Sequence, residues 1–228
     1  TKRKAQRLRL FVINTPAFHS CSGEREISHG YLPLKKVVAE TLSKFYHPKT
    51  HATIFSMDKI HELSLEEFPP LLKEISDTPK KLYYRGTLPD WEANKFLAVV
   101  GSRKYSEYGK SACQKLIGGL RGYPIIIVSG LALGIDSIAH EAALSAGLKT
   151  IAVPGSGLNR DVLYPTSHVG LADRIVKAGG LLLSEFEPNL KAAPYTFPQR
   201  NRIMAGMSHA TFVIEAEKGN EYVTVNQI

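Results

Sequence analysis

Three short apolar stretches that end in small residues decide the fold of this chain: LAVVGSR at 97–103, IIIVSGLALG at 125–134 and TIAVPGSG at 150–157. Each apolar run predicts a buried strand of a parallel sheet, because such strands are covered on both faces. Each ends in a turn of glycine and serine, and open α/β sheets bind ligands beyond the carboxyl ends of their strands. The three turns therefore predict a phosphate-binding surface of backbone N–H groups, to which Arg103 adds a guanidinium.

Helical patterns separate these strands and continue after them. We expect helices at about 106–121, 136–146 and 167–178, a fourth strand at 181–185, a short helix at 201–207 and a fifth strand at 210–215. This alternation predicts an α/β fold with a doubly wound, mostly parallel sheet and right-handed crossovers. Because such a domain normally continues past its fifth strand, we expect its C-terminal part to be incomplete.

The first third of the chain has a different pattern. Apolar residues at helical spacing predict an amphipathic helix over Leu34–Tyr46. Ser64 and Glu67 form a capping-box pattern that begins a second helix through about Ile75, and Pro69-Pro70 either lies near its start or breaks it. We expect a small, largely helical accessory region at 1–76 and an α/β domain at 77–228.

Composition excludes several classes of protein. The 228 residues carry a formal net charge of +8, and 43% of them are hydrophobic. No apolar run approaches the roughly 18 residues of a membrane span, and no secretory leader pattern is present, so we expect a cytoplasmic protein without a membrane partner. Cys21 and Cys113 have neither zinc-site nor disulfide spacing. The positive charge fits a nucleic-acid partner, although charge alone is weak evidence for one.

Basic and aromatic residues follow the glycine turns. Arg103 ends the first turn, and its place at the carboxyl edge favours phosphate binding over a plain tight turn. Arg160 follows the third turn. Tyr164 either stacks on a base or fills the space beneath its loop. Arg200-Asn201-Arg202 near a helix start form a candidate anion clamp, in which at least one arginine pairs instead with Glu185, Glu187 or Glu215.

The sequence offers few catalytic patterns. It has no Ser/His/Asp triad, metal-ligand cluster or Walker lysine, and the turn at 129–134 lacks the GxGxxG fingerprint. Asp136 suits a helix N-cap, and His140, one turn later, suits a packed position better than that of a base. We therefore expect no catalytic residue, no metal site and no cofactor.

Ordered motifs carry a family resemblance over residues 70–216. They are LYYRG at 82–86, VVGSR at 99–103, YG at 108–109, SGLAxGIDxxAH at 129–140, TIAVxGSGL at 150–158, YP at 164–165, LSE at 183–185 and FPxRNRIxAGxS at 197–208. Together they closely resemble the DNA-processing protein A family, also called DprA or Smf.

The resemblance implies a bacterial cytosolic protein with an extended Rossmann-like fold. It further implies a homodimer that binds single-stranded DNA, protects incoming DNA and loads the RecA recombinase onto it during natural transformation, without being an enzyme. The implied DNA pocket centres on Arg103, with Lys149 and Arg160 as basic neighbours. Together with the turns, this gives the expected DNA- or phosphate-binding residues: Gly101, Ser102, Arg103, Ser129, Gly130, Lys149, Gly155, Ser156, Gly157, Arg160, Tyr164, Arg200, Asn201 and Arg202.

Two departures from the family pattern limit the comparison. Gly219–Thr224 replaces the serine-glycine turn that usually follows the fifth strand, and the first third lacks a helix-hairpin-helix glycine signature, so we assign that part no role in DNA binding. The competing hypothesis is a nucleotide-binding or nucleotide-hydrolysing enzyme of a related Rossmann-like family, in which Glu185 and Arg200 could act. The glycine motif expected of the phosphoribohydrolases among these families is missing.

Overall fold

The structure, a computed structural model, describes residues 12–14 and 59–215. These residues form one eight-stranded sheet with four α-helices. The strands are β1 (Val12–Asn14), β2 (His61–Leu63), β3 (Leu82–Gly86), β4 (Lys95–Gly101), β5 (Ile125–Ser129), β6 (Thr150–Ala152), β7 (Leu181–Ser184) and β8 (Ala210–Ile214). The α-helices are α1 (Glu107–Gly118), α2 (Ile135–Ser145), α3 (Val169–Lys177) and α4 (Thr196–Gly206).

Five strands in the middle of the sheet run parallel, in the order β8-β4-β5-β6-β7. Three further strands pair antiparallel at the edges: β1 beside β8, and β3 and then β2 beyond β7. The chain moves outward from β4 to β7 through α1, α2 and α3, then returns through α4 to β8 on the other side of β4. The predicted α/β class and mostly parallel sheet are confirmed, and the carboxyl ends of five strands meet at one edge.

Alternate residues of each strand face opposite sides of the sheet. On one face, Ile127 of β5 packs with Ile117 of α1 and with α2, while α3 covers β6 and β7. On the other face, Ile126 packs in a cluster that includes Ile203 of α4. Because helices cover both faces, the central strands are continuous apolar runs rather than alternating ones.

Helix α4 begins at Thr196, earlier than the start predicted at 201. Thr196 Oγ1 accepts a hydrogen bond from Ala193 N at 3.1 Å and donates one to Gly155 O at 2.6 Å, which fixes the first turn. Pro198 is tolerated there because the N–H groups of a first helical turn have no intrahelical partner. The earlier start makes Phe197 part of the helix and places it one turn before Arg200.

The accessory region differs from its prediction. The capping box is present, with Ser64 N donating to Glu67 Oε2 at 2.9 Å. A single helix through Ile75 is wrong, and the alternative in which the prolines break it is confirmed: two short 3-10 helices, Leu65–Glu67 and Pro70–Glu74, replace it, because Phe68, the residue before Pro69, is extended. Phe68, which follows the first of these helices, and Leu72 of the second are buried in the same core cluster as α4. The helix predicted at Leu34–Tyr46 and the departure at 219–224 lie outside the described residues, and the boundary at 76 stays a prediction.

Candidate functional site

Four described loops leave the carboxyl ends of the parallel strands. They are loop 1 (102–106) after β4, loop 2 (130–134) after β5, loop 3 (153–165) after β6 and loop 4 (185–195) after β7. Ile135 N donates to Ser102 O at 3.1 Å, and Gly157 N donates to Leu190 O at 2.8 Å. Beyond loop 3, His168 Nδ1 lies 2.7 Å from Leu131 O in loop 2. These bonds join the loops into one continuous surface.

Loop 1 uses its serine internally and leaves its arginine exposed. Ser102 is 3% exposed, and its backbone N–H donates to Glu215 O at 2.9 Å. Its hydroxyl accepts a hydrogen bond from Lys104 N at 3.0 Å and donates one to Lys104 O at 2.8 Å. A Cβ at Gly101 would overlap Ile214 O, so the glycine permits close approach of β4 to β8. The sequence predicts Ser102 as a phosphate contact, but in the structure it shapes the loop that presents Arg103.

Loop 2 packs against two charged side chains of the protein itself, Arg200 and Asp136. Ser129 Oγ donates to Val99 O at 2.6 Å, and Arg200 Nη1 reaches in from α4 to donate to Gly130 O at 2.6 Å and to Val153 O. A Cβ at Gly130 would overlap the Arg200 guanidinium and would lie 2.5 Å from Asp136 Oδ2. Glycine is therefore required there to seat a buried pair of opposite charges, rather than to approach a phosphate.

Asp136 and His140 are both buried on α2. Burial raises the pKa of Asp136, while the charge of Arg200 and hydrogen bonds from Ala132 and Gly130 backbone N–H groups oppose that rise. The N-cap role predicted for Asp136 is wrong, because α2 begins at Ile135 and the carboxylate faces loop 2. His140 Nδ1 lies 2.8 Å from Thr150 Oγ1, and burial lowers its pKa to about 3, so the ring is a neutral packed residue at pH 7.

Arg200 is the buried end of the expected anion clamp. It is 1% exposed, and burial lowers its pKa to about 10, so it remains charged near neutral pH. Since its guanidinium bonds to loops 2 and 3 from α4, its geometry is that of a structural brace rather than a surface phosphate ligand.

Loop 3 is also closed by internal hydrogen bonds. Ser156 is fully buried, and its hydroxyl donates to Gly157 O at 3.0 Å and accepts from Tyr164 N at 3.2 Å. Ser156 O accepts from Ser184 Oγ at 2.8 Å. A Cβ at Gly155 would lie 2.6 Å from the ring of Phe197, so this glycine makes room for an aromatic side chain.

At this edge the exposed side chains of Arg103 and Tyr164 lie beside the half-buried ring of Phe197. The Arg103 guanidinium lies 5.4 Å from the centre of the Phe197 ring, and the Tyr164 ring lies 5.7 Å from Phe197 on a tilt of 58°. Tyr164 is 46% exposed, which fits the stacking alternative better than a plug beneath the loop. We call Arg103, Tyr164 and Phe197 the edge cluster.

Two other predicted basic residues, Arg160 and Arg202, are held in ion pairs. Arg160 pairs with Asp173, which also accepts from Arg85 Nη2 at 2.7 Å. Burial alone would raise the pKa of Asp173. The hydrogen bonds from Arg160 and Arg85 outweigh this effect, so the pKa is lowered below its usual value. Arg202 bridges Asp77 and Glu185, with each N–O distance 2.6 Å.

Of the two remaining predicted side chains, Lys149 lies apart from the edge cluster, whereas Asn201 lies one helical turn after Phe197. Lys149 precedes β6 and is exposed at the amino edge of the sheet, opposite the loops. Asn201 is half-buried on α4. Of the predicted side chains, Arg103 and Tyr164 therefore meet at the Phe197 ring, and Lys149 does not join them.

Phe197 has no role in the prediction from sequence, although the motif containing it was identified. The signal that could have revealed it is the spacing Phe197-x-x-Arg200: once both lie on one helix, they fall on neighbouring turns. Gly155, the residue that makes room for the ring, lies in another loop, and sequence spacing alone does not show this contact.

Within residues 59–215, no group of three or more His, Cys, Asp or Glu side chains could hold a metal ion. In the same part of the chain, no helix combines the length and the apolar character needed to cross a bilayer.

Comparisons with known proteins agree on one family. The sequence model of the DNA recombination-mediator protein A family matches residues 59–223. The chain is 46% identical over 150 residues to the DNA processing protein DprA of Streptococcus pneumoniae, covering 66% of this chain and 51% of that protein. It is 41% identical over 151 residues to protein Smf of Escherichia coli, covering 66% of this chain and 40% of that protein. The chain thus spans about half the length, or less, of these curated relatives.

The chain also aligns with a solved structure of DNA processing protein A from Helicobacter pylori, with a TM-score of 0.61. That structure was described for the single-stranded DNA binding mode of the Helicobacter pylori protein. The identity is 32%, and the alignment covers 68% of this chain and 69% of that one.

Proposed function

The chain belongs to the DNA recombination-mediator protein A family, and we propose on that premise that it binds single-stranded DNA at the carboxyl edge of its sheet. The edge cluster carries the proposal. A guanidinium recognises phosphate oxygens, and exposed aromatic rings stack on unpaired bases at about 1–3 kcal/mol per base. Both chemistries meet at Phe197. The Arg103 guanidinium lies 5.4 Å from the centre of its ring, and the centre of the Tyr164 ring lies 5.7 Å from it.

The structure changes how phosphate recognition is expected to work. The glycine turns donate or shape hydrogen bonds inside the protein, as at Ser102, Gly130 and Gly157. We therefore assign phosphate contacts to exposed side chains, with Arg103 first among them. The turns act by bringing the four loops together and by leaving space for Phe197 and Arg200.

We further propose that the protein acts without catalysis, as a cytoplasmic recombination mediator. In this role it would form a homodimer, protect incoming single-stranded DNA and load the RecA recombinase during natural transformation. Family membership supports this role, and the relative from Helicobacter pylori is described by its single-stranded DNA binding. The partnership with the recombinase is tested by measuring recombinase filament formation on protein-bound DNA. The homodimer is tested by sedimentation of the free protein.

The competing enzymatic function finds no support in the geometry of its two candidate residues. Arg200 is 1% exposed and bonds to Gly130 O and Val153 O. Glu185 Oε2 accepts from Arg202 Nη2 at 2.6 Å. Incubation with nucleoside monophosphates should release no free base, and base release would revive the hydrolase hypothesis.

A matched pair of arginine variants tests the binding site. Arg103→Ala should weaken binding to oligo-dT and reduce the slope of log affinity against log salt by about one phosphate contact. Arg121→Ala removes the same charge between α1 and β5, on the amino edge, where Arg121 Nη2 donates to Ser145 O at 3.2 Å. It should bind like the parent protein. Equal behaviour of the two variants would overturn the placement of the site.

A further inference from the structure

Exposed apolar side chains concentrate on one edge of the molecule. Among the described residues, seven large ones are well exposed, and five of these lie on the loops at the carboxyl edge or in the first turn of α1: Tyr105 (40%), Tyr108 (58%), Leu133 (50%), Tyr164 (46%) and Tyr195 (63%). Scattered apolar residues need no explanation, but a concentration on one surface marks an interaction site. Tyr164 belongs to the edge cluster, whereas Tyr105 follows Arg103 in loop 1 and Tyr108 lies in the first turn of α1.

The backbone that carries these two tyrosines is held on both sides. Before Tyr105, the hydroxyl of Ser102 bonds both to Lys104 N and to Lys104 O. After it, Ser106 N donates to Glu215 Oε2 at 2.6 Å, and the Ser106 hydroxyl bonds to the same carboxylate. Ser106 Oγ also accepts from Gly109 N at 3.1 Å as the N-cap of α1. The rings are therefore presented from a fixed backbone, which reduces the entropy cost of binding.

The surrounding charges favour a polyanion. Arg103 and Lys104 are exposed immediately before Tyr105. Glu107 is balanced by Lys110 at 3.8 Å, and the Glu215 carboxylate is turned inward to Ser106. Within the described residues, the side chains of Tyr105 and Tyr108 make neither a hydrogen bond nor a ring contact, so both rings are available to a ligand.

From this arrangement we propose that Tyr105 and Tyr108 form a second base-stacking subsite, which continues the single-stranded DNA path from the edge cluster across loop 1 to the start of α1. This subsite rests on the proposed function. It lengthens the bound segment, so its contribution depends on oligonucleotide length. A short strand fills the edge cluster alone, whereas a longer strand reaches both groups of rings.

The test compares two lengths of oligo-dT by fluorescence anisotropy at fixed salt, one of about 5 and one of about 15 nucleotides, within the range that single-strand binding folds cover. Tyr105→Ser with Tyr108→Ser should reduce affinity for the longer strand by roughly thirtyfold or more, because two rings that each stack on a base are removed, and should leave the shorter strand unchanged. Tyr105→Phe with Tyr108→Phe should bind both strands like the parent, because stacking needs the ring and not the hydroxyl. Tyr123→Ser, at a tyrosine 47% exposed before β5, is the control.

Each alternative outcome has a defined meaning. Unchanged affinity of the double serine variant for both lengths overturns the subsite, as does an equal loss for both lengths. A changed sedimentation coefficient with unchanged DNA affinity assigns the surface to a protein partner instead. Failure of the proposed function is distinct: in that case the parent does not bind either strand, or Arg103→Ala binds both as the parent does.

Discussion

Replacing Arg200 by methionine should destabilise the fold strongly, because this side chain braces the loops from inside. It is 1% exposed, and its Nη1 donates to Gly130 O at 2.6 Å and to Val153 O. Methionine has a similar length but no charge, so the buried Asp136 loses its counter-charge and both carbonyls lose a donor. Breaking one partner of a buried charge pair costs about 3–5 kcal/mol. That is a large part of the roughly 5–15 kcal/mol that stabilises a typical domain.

Urea denaturation measures this loss directly. Trp91 is the single tryptophan of the chain and lies 5.3 Å from Phe96 in ring-centre distance, so its fluorescence reports on the core. Arg160→Met is the control: its side chain is 60% exposed, and the exposed ion pair with Asp173 should contribute about 1 kcal/mol or less. Adding Asp136→Asn to Arg200→Met should cost less than the sum of the single changes, with a coupling of about 1–3 kcal/mol. If Arg200→Met costs no more than Arg160→Met, the brace is refuted.

Three further predictions concern other buried positions. Gly155→Ala should displace the Phe197 ring, which lies 2.6 Å from the added Cβ. Oligo-dT affinity should then fall by about fivefold or more, since one stacked base contributes about 1–3 kcal/mol; unchanged anisotropy titrations would contradict this. Burial lowers the pKa of His140 from 6.5 to about 3. Between these two pH values the histidine is protonated in the unfolded chain but not in the folded one, so the free energy of unfolding falls by up to about 1.4 kcal/mol for each pH unit of acidification. His140→Gln should flatten this dependence in urea titrations between pH 7 and 4. Burial raises the pKa of Cys113 to about 12, so in a Cys21→Ser background a thiol reagent at pH 8 should label it only after unfolding, and rapid native labelling would show that the thiol is accessible.

The sheet could be predicted from the sequence because each strand is marked by a pattern of neighbouring residues. Strands β4, β5 and β7 are apolar runs that end in glycine or serine, and burial on both faces requires their apolar composition. The break at Pro69 also has a local cause, because the residue before a proline is held away from helical geometry. The start of α4 was harder to find, since Thr196 takes its hydrogen-bond partner from Gly155, which lies far away in the sequence.

The candidate site was predicted in part, and the missing part depends on three-dimensional contacts. Arg103 and Tyr164 follow from their place after parallel strands. By contrast, glycines at 130 and 155 resemble phosphate turns in sequence, yet each makes room for a side chain of α4. Whether an arginine is a ligand or a brace depends on its burial: Arg200 is 1% exposed, and motif spacing does not reveal this.

The central claim is that exposed rings and Arg103 bind unpaired bases and phosphates together. The most direct measurement is the affinity for oligo-dT and for duplex DNA of the same length over a range of salt concentrations. The single strand should bind more tightly at every salt concentration, because a duplex hides its base faces, and log affinity should fall linearly with log salt. Equal affinity for the two forms, or binding to oligo-dT that does not change with salt, would contradict the account.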